Sequence, residues 1–125
     1  MKEIKFTINI PPITKKNHIM FGKNKYTGKT FIRQAPAYYQ YEKDFLAICP
    51  NIETIDFPIN VKAIYYMPTK RKVDLINLHA ALHDCLVKKG VIIDDNSNII
   101  ASTDGSRVYY DKCNPRTEIT ISYDS

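Results

Sequence analysis

Residues 74–95 read DLINLHAALHDCLVKKGVIIDD, and they carry the strongest structural signal in the chain. Apolar residues recur in this stretch at the spacing of an amphipathic helix, at about 100° per residue. The apolar side consists of Leu75, Leu78, Leu82, Cys85 and Leu86. Gly90 follows the last periodic residue and is typical of a helix C-terminal cap. We therefore predict a core-packed helix from Asp74 to Lys89.

The predicted helix has two further sides that differ in chemistry. The polar side consists of Asn77, Ala81, Asp84 and Lys88. Asp74 lies at its N-terminal end, so Asp74 and Asp84 are predicted to face one groove; alternatively, Asp74 is an N-terminal cap and Asp84 a solvated carboxylate. The remaining side consists of Ile76, Ala80, His83 and Val87. Because this side is small and apolar, it predicts contact with a partner, such as a second copy of the chain, or with another element.

Asp94 and Asp95 directly follow the short apolar run Val91-Ile92-Ile93. Two carboxylates at the end of a buried strand are held rigidly, and hard divalent cations such as Mg²⁺ prefer such oxygen ligands. Carboxylates from a helix start and a strand end can converge on one cation. The alternative is a plain turn, since Asp-Asp-Asn-Ser also favours turns.

The rest of the chain alternates between strand-like and helical patterns. Strands are predicted at residues 2–10, 57–67, 99–102, 107–110 and 117–123, and a second helix at residues 36–48. A loose hairpin is predicted at residues 19–32, with Lys23, Lys25 and Lys29 at its tip. Strands and helices do not alternate strictly, so we predict an α+β fold: one domain over residues 1–125, with a mixed sheet and two main helices on one face.

Charge is distributed unevenly along the 125 residues. The net charge is +5; residues 1–72 contribute +8 and residues 73–125 contribute −3. A basic half suits a polyanion, and an acidic half with clustered aspartates suits a divalent cation. A nucleic-acid enzyme needs both, whereas the alternative is ordinary solvated surface charge.

Several protein classes are excluded by what the sequence lacks. It has no apolar run of about 20 residues and no signal-peptide core, so we expect a cytoplasmic protein that does not contact a membrane. It has no glycine-rich phosphate loop, so no nucleotide cofactor is expected. The three cysteines contain no Cys-x-x-Cys pair and are predicted to be free thiols.

His79 and His83 are four residues apart on the predicted helix, which is a possible spacing for a metal site. The sequence between them lacks the glutamate of the zinc-protease motif, and no third ligand is evident. We interpret the pair as structural or surface histidines, and a small metal-binding module remains one alternative function.

Two motifs relate the chain to a known family. At Asp74-Leu75-Ile76-Asn77-Leu78 and Gly90-Val91-Ile92-Ile93-Asp94-Asp95 it resembles the RusA-type Holliday-junction resolvases, small endonucleases often carried by phages or prophages. Ile10-Pro11-Pro12 and the Lys-Asn loop after the first strand add to the resemblance, which covers nearly the whole chain. It implies a RusA-like fold, a homodimer on four-way DNA junctions, and one Mg²⁺-dependent site per subunit that nicks strands of like polarity.

The resemblance also implies roles for individual residues. Asp74 matches the first motif aspartate and Asn77 the asparagine, while Asp94 and Asp95 match the distal pair, in which Asp95 is the more critical. These three aspartates are the implied ligands of Mg²⁺, for which Mn²⁺ can substitute. Asp84 matches a helix aspartate of the family and joins the predicted catalytic set.

Two positions depart from the family motif. Ile76 replaces the second motif aspartate and Ala80 replaces a lysine one helical turn later, so one ligand and one cation are lost. Asp84 is the first candidate to compensate, and Asp104 is the second. The segment from Thr103 onward resembles a family subgroup in which the second aspartate is commonly absent.

We therefore predict a metal-dependent endonuclease for four-way junctions in DNA recombination and repair. Phosphate contacts are predicted for Lys15, Lys16, Lys70, Arg71, Lys72, Lys23, Lys25, Lys29 and Arg107. Two rivals remain: a junction-binding protein that no longer cuts, for which Ile76 and Ala80 argue, and a nuclease for other branched DNA such as flaps or forks.

Overall fold

The structure is a computed structural model that describes residues 1–15, 19–34 and 36–124. Two helices accompany seven strands in the described part of the chain. In chain order the elements are β1 (Lys2–Ile8), β2 (Ile19–Lys23), β3 (Thr30–Gln34), α1 (Pro36–Ile48), β4 (Ile59–Met67), α2 (Leu75–Lys89), β5 (Ile100–Ser102), β6 (Arg107–Tyr110) and β7 (Arg116–Tyr123). None of the described helices is long and apolar enough to cross a membrane.

The main sheet has five strands and is mixed, as predicted. β7 lies between β1 and β4 and is antiparallel to both. The other edge of β4 is shared by two short parallel strands: β5 lies beside its start and β6 beside its second half. β2 and β3 form a separate two-stranded sheet, the predicted hairpin. The prediction of an α+β fold is confirmed.

Both helices cover one face of the main sheet. Alternate residues of β4, from Ile59 to Tyr65, are buried on this face, and Tyr65 meets His79 of α2. Tyr41 and Phe45 of α1 complete the core. Burial of such aromatic and aliphatic side chains is the main favourable contribution to folding.

Helix α2 is specified by local signals at both ends. Asp74 is the N-terminal cap, with an extended backbone and a side chain that accepts from the Ile76 N–H at 2.9 Å. Gly90 has φ 82° and its N–H bonds back to the last turn, which is the left-handed cap that glycine favours. The predicted helix is therefore confirmed, with Asp74 as its cap.

The order β4, α2, β5 sets the positions of the candidate site residues. α2 carries the chain from the end of β4 back to its start, where β5 pairs in parallel. Asp74 therefore lies at the end of β4, while Asp94 and Asp95 lie near its start. We call the end of the sheet near Asp74 the basic end, and the end near Asp94 and Asp95 the acidic end.

Several sequence expectations need correction. The first strand ends at Ile8, before Pro11 and Pro12, and the central strand begins at Ile59, directly after Pro58. Proline lacks the N–H that a strand donates to its neighbour, so it limits both strands. Residues 91–93 form an isolated parallel β-bridge, between Ile92 and Ile55, instead of a strand of the sheet. Ile93 is exposed. Ala81, predicted on the polar side of α2, is fully buried.

Candidate active site and nucleic-acid interface

The basic end carries a cluster of cationic side chains around the start of α2. Lys70, Arg71 and Lys72 are exposed in the loop between β4 and α2. The Lys15 backbone N–H also contacts α2, at the Asn77 carbonyl 3.4 Å away, whereas its ammonium pairs with Asp84 further along the helix. The three loop cations directly precede the N-terminus of α2, whose free N–H groups add partial positive charge. This end is therefore suited to bind phosphate groups.

Asp74 and Asn77 are the two candidate catalytic residues at the basic end. Asp74 is exposed while it caps α2, so one carboxylate oxygen serves the helix and the other faces solvent. Asn77 is half-buried one turn further along. The prediction that Asp74 caps the helix is confirmed. Its second carboxylate oxygen is still able to bind a metal ion.

Asp94 and Asp95 lie in an exposed turn at the acidic end. One Asp94 oxygen accepts from the Asp95 N–H at 2.7 Å, and the other accepts from the Asn96 amide at 3.0 Å. The Asp95 side chain itself is exposed. Asp56, Asp104 and Asp124 are also exposed close to the start of β4, which makes this end of the sheet acidic.

The predicted metal ligands do not meet within one chain. α2 has 15 residues, so Asp74 and Asp94 are separated by a helix about 22 Å long. Carboxylates that share a cation lie within a few ångströms of each other, since each is about 2 Å from a bound Mg²⁺. Accordingly, the described residues contain no group of three acidic, histidine or cysteine side chains able to hold a metal ion.

Asp84 faces α1 rather than the groove expected with Asp74. Ten residues of helix separate the two, about 15 Å along the axis. Asp84 accepts a hydrogen bond of 2.5 Å from the Tyr38 hydroxyl, and Lys15 and Lys88 lie 3.6 and 3.2 Å from its carboxylate. The expectation that Asp74 and Asp84 share a groove is wrong, because Asp84 is directed into this helix–helix junction.

The pKa of Asp84 reflects this network. Burial alone would raise the pKa, but the hydrogen bonds from Tyr38 and Lys88 outweigh it and hold the pKa below its usual value. Burial and the neighbouring Asp84 carboxylate raise the pKa of Tyr38 far above its usual range. The pair is therefore an ionised carboxylate with a neutral phenol, and it ties the Lys15 segment and α1 to α2.

The other predicted DNA contacts are spread over the surface. Lys23, Lys25 and Lys29 are exposed at the tip of the β2–β3 hairpin, where Asn24 accepts from the N–H groups of Tyr26 and Thr27. Arg107 begins β6 and shares the sheet face opposite the helices, apart from Lys70. Lys16 lies outside the described residues.

The buried His79 and the half-buried His83 form a stacked pair. Their rings are 5.2 Å apart, and the Tyr65 hydroxyl shares a hydrogen bond of 2.7 Å with Nδ1 of His79. Burial lowers the pKa of both, and that of His83 falls to about 4. Since no third ligand lies near them in the described ranges, they fit the structural interpretation rather than a metal-binding module.

The two motif departures lie on the outer side of α2. Ile76 is 75% exposed and Ala80 is exposed, whereas His83 and Val87 are half-buried. Within one chain Asp104 lies away from Asp74, because its N–H bonds to Asn60 at the acidic end. An exposed isoleucine beside the cap carboxylate leaves the basic end with one acidic candidate ligand.

Sequence reasoning missed several residues of this region. Two residues of α1 hold polar side chains of α2: the Tyr38 hydroxyl donates to Asp84, and Glu42 accepts from Lys88. The partners in each pair are 46 positions apart, so no local sequence pattern indicates them. Tyr109 and Tyr110 are 49% and 45% exposed beside the basic loop. The sequence signal for these two tyrosines is that they are adjacent on a short strand. Neighbouring residues of a strand point to opposite faces of the sheet, so both rings cannot lie in the same core.

The comparisons with known proteins agree with these features. The family model described as Endodeoxyribonuclease RusA matches residues 9–122 of the 125 residues. The chain therefore belongs to the RusA family of endodeoxyribonucleases, enzymes that cleave DNA within the strand. A search of curated proteins gives no match.

Proposed function

We propose that this protein is a Mg²⁺-dependent endonuclease that resolves four-way DNA junctions by paired, symmetric nicks. The observation that carries the proposal is the basic end: exposed Lys70, Arg71 and Lys72 directly precede the exposed Asp74 in a chain of the RusA family. Cations that can bind DNA phosphates and a carboxylate that can bind a metal ion thus belong to the same end of the sheet. Such an enzyme acts where DNA is held, in the cytoplasm of its host cell.

DNA binding is proposed to rest on charge rather than on base recognition. Lys15 and the loop at residues 70–72 would contact phosphates next to the cut, and the hairpin lysines would hold a second arm. Phosphate contacts position a protein without reading sequence. Selectivity would then come from the shape of the junction.

The proposed active unit is a homodimer, and two observations support it. First, Asp74 and the Asp94–Asp95 pair lie at opposite ends of α2, a helix about 22 Å long. Second, apolar side chains are exposed near both ends of this helix: Ile76 on its outer side is 75% exposed, and Ile93, just after its C-terminal cap, is 59% exposed. Two α2 helices packed antiparallel about a two-fold axis would bring Asp74 of one copy to Asp94 and Asp95 of the other.

Charge complementarity supports the same arrangement. An antiparallel pair sets the basic end of each copy against the acidic end of its partner, and opposite charges favour this register. Each site would then hold Mg²⁺ or Mn²⁺ through Asp74 from one copy and Asp94 and Asp95 from the other. When bound, the cation would polarise the phosphate and help to generate the attacking hydroxide.

The chain's own residues have supporting tasks in this proposal. Asn77 would orient a carboxylate or a water beside Asp74. Asp84 would act at a distance by holding Lys15 against α2, since it already contacts both Lys15 and Lys88. Its role is that of a positioning residue.

One rival is favoured by a specific observation. Ile76 occupies the position of the second motif aspartate and presents a methyl-rich side chain to solvent. A protein that binds junctions without cutting them would show this substitution. Such a protein predicts salt-sensitive binding with no nicking in Mg²⁺ or Mn²⁺.

A nicking assay separates these possibilities. A synthetic four-way junction is incubated with and without Mg²⁺, beside a linear duplex and a flap of matched sequence. Paired nicks on the junction only with metal are expected. Preferential cleavage of the flap would favour another branched-DNA nuclease, and binding without nicking would favour the non-cutting rival.

A complementation assay tests the shared site. Asp74→Asn and Asp95→Asn should each abolish nicking alone, while junction binding persists. Mixed dimers of the two variants would contain one intact site and should recover single-strand nicks. If each site lay within one chain, every site in the mixture would be damaged and no activity would return.

A further inference from the structure

A shallow pocket of about 280 Å³ opens beside the basic loop, between residues 69–71 and the end of β6. Met67 and Val108 contribute apolar lining. Tyr109 and Tyr110 also line the pocket and are 49% and 45% exposed. Exposed aromatic rings next to cations are the arrangement that proteins use to hold nucleobases beside their phosphates.

The two tyrosines are not equivalent. Tyr109 lies on the open face of the sheet and stacks on Tyr66, with ring centroids 5.7 Å apart, and Arg116 covers the other side of Tyr66 at 3.8 Å. Tyr110 pairs with Met67 at the end of β6 and is directed to the opposite face. The Lys70 ammonium lies over its ring, 5.2 Å from the centroid. Tyr110 is thus the ring available for stacking.

Tyr110 also contacts the loop that carries the candidate catalytic carboxylate. Lys70, which contacts its ring, precedes Asp74 by four residues in the same loop. A base stacked on Tyr110 would therefore have its phosphate among Lys70, Arg71 and the α2 N-terminus. Within a duplex every base is covered on both faces, so the ligand must be a base that has left the stack.

We propose that Tyr110 and Lys70 form a stacking site for an unpaired nucleobase at the branch point of junction DNA. This inference rests on the proposed function, because a branch point supplies bases that are readily unstacked beside the strand to be cut. Lys70 moves from the ring to the neighbouring phosphate, and the base takes its place on the ring. The base type is unimportant, since every base offers a π face.

The test measures binding without metal, so that no cleavage occurs. Junctions with 2-aminopurine at the branch point are titrated with wild type, Tyr110→Leu, Tyr110→Phe and the control Tyr39→Leu. Tyr39 is exposed to a similar extent, 49% against 45% for Tyr110, but lies on α1. Tyr110→Leu should weaken junction binding at least about fivefold and lose the fluorescence change on binding. Tyr110→Phe and Tyr39→Leu should behave like wild type, and linear duplex binding should change less than twofold.

Two results would overturn the stacking site. The first is junction binding by Tyr110→Leu equal to that of Tyr39→Leu, and the second is an equal loss on linear duplex. Nicking by wild type in parallel assays shows whether the proposed function stands in either case. If wild type has no preference for junctions, binding to a single-stranded oligonucleotide decides: Tyr110→Leu must still weaken it, or the site is refuted. Circular dichroism and thermal melting check that each variant is folded.

Discussion

Asp84 and Asp95 are the same residue type in opposite surroundings. Asp84 is directed into the junction of α1 and α2, where Tyr38, Lys15 and Lys88 contact its carboxylate. Asp95 lies in an exposed turn, where its backbone N–H donates to the Asp94 carboxylate and its side chain is exposed to solvent. Loss of charge should therefore cost stability at one position and activity at the other.

This contrast gives a prediction for the two asparagine variants. Asp84→Asn removes two ion pairs but keeps an acceptor for Tyr38, so the free energy of unfolding should fall by about 1–2 kcal/mol. Asp95→Asn should change it by less than about 0.5 kcal/mol, as for most exposed substitutions. Urea denaturation followed by circular dichroism measures both. Equal losses would contradict the assigned environments.

His83 predicts a pH dependence of stability. Burial, with a smaller contribution from His79, lowers its pKa from 6.5 to about 4, so the folded state holds it neutral. The unfolded chain binds its proton first as pH falls, so this stabilisation is complete above pH 6.5 and decreases between 6.5 and about 4. The full effect is up to about 3 kcal/mol.

The measurement compares wild type with His83→Gln, which is neutral at every pH. Urea midpoints are recorded from pH 7.5 to 4, and the wild-type profile should fall more steeply below pH 6.5. The titratable neighbour of the ring is His79, with Tyr65 beyond it on β4, and both are retained in the variant. Parallel profiles would show that His83 does not titrate in this way.

At the scale of the element, α2 depends on the glycine cap that follows its last residue as well as on its apolar side. Gly90 has φ 82°, and an added Cβ would meet only Thr54 at an ordinary 3.8 Å. Gly90→Ala should therefore destabilise the protein by about 1 kcal/mol through backbone strain alone. Gly90→Asn is the matched control, because asparagine tolerates this conformation and should cost less. Thermal melting compares them; an equal cost would point to packing instead.

The same element shows what the sequence could and could not predict. The caps and apolar side of α2 are local, so its boundaries followed from spacing and from Asp74 and Gly90. The separation of Asp74 from Asp94 depends on the parallel return of β5, and no local pattern contains that pairing. The motif placed these carboxylates together through the resemblance, whereas the fold of one chain sets them at opposite ends.

At the scale of the whole molecule, the basic end predicts the salt dependence of DNA binding. Neutralising Lys70, Arg71 and Lys72 with glutamine should reduce the slope of log K against log salt by up to about 3, since each lost phosphate contact contributes about 0.9. Fluorescence anisotropy with labelled junction at several salt concentrations measures it. Glutamine at Lys2, Lys5 and Lys43, which are exposed elsewhere, is the control. An unchanged slope would place the DNA surface elsewhere.

The outer side of α2 predicts the oligomeric state. Ile76→Glu would bury a charge in the proposed pair, so it should shift the protein to monomer in sedimentation velocity and abolish nicking. Ile48→Glu is the matched control, because Ile48 is also exposed but ends α1. A wild-type monomer, or an Ile76→Glu variant that remains dimeric, would contradict the antiparallel arrangement.

Opposite charge at the two ends of one sheet has a consequence for assembly size. A chain with two unlike poles is prone to join head to tail, and such contacts add copies without limit unless the rotation closes. The proposed antiparallel arrangement would occupy both poles of both copies at once. A third copy would then meet no free pole, so assembly would stop at the dimer instead of continuing into a filament.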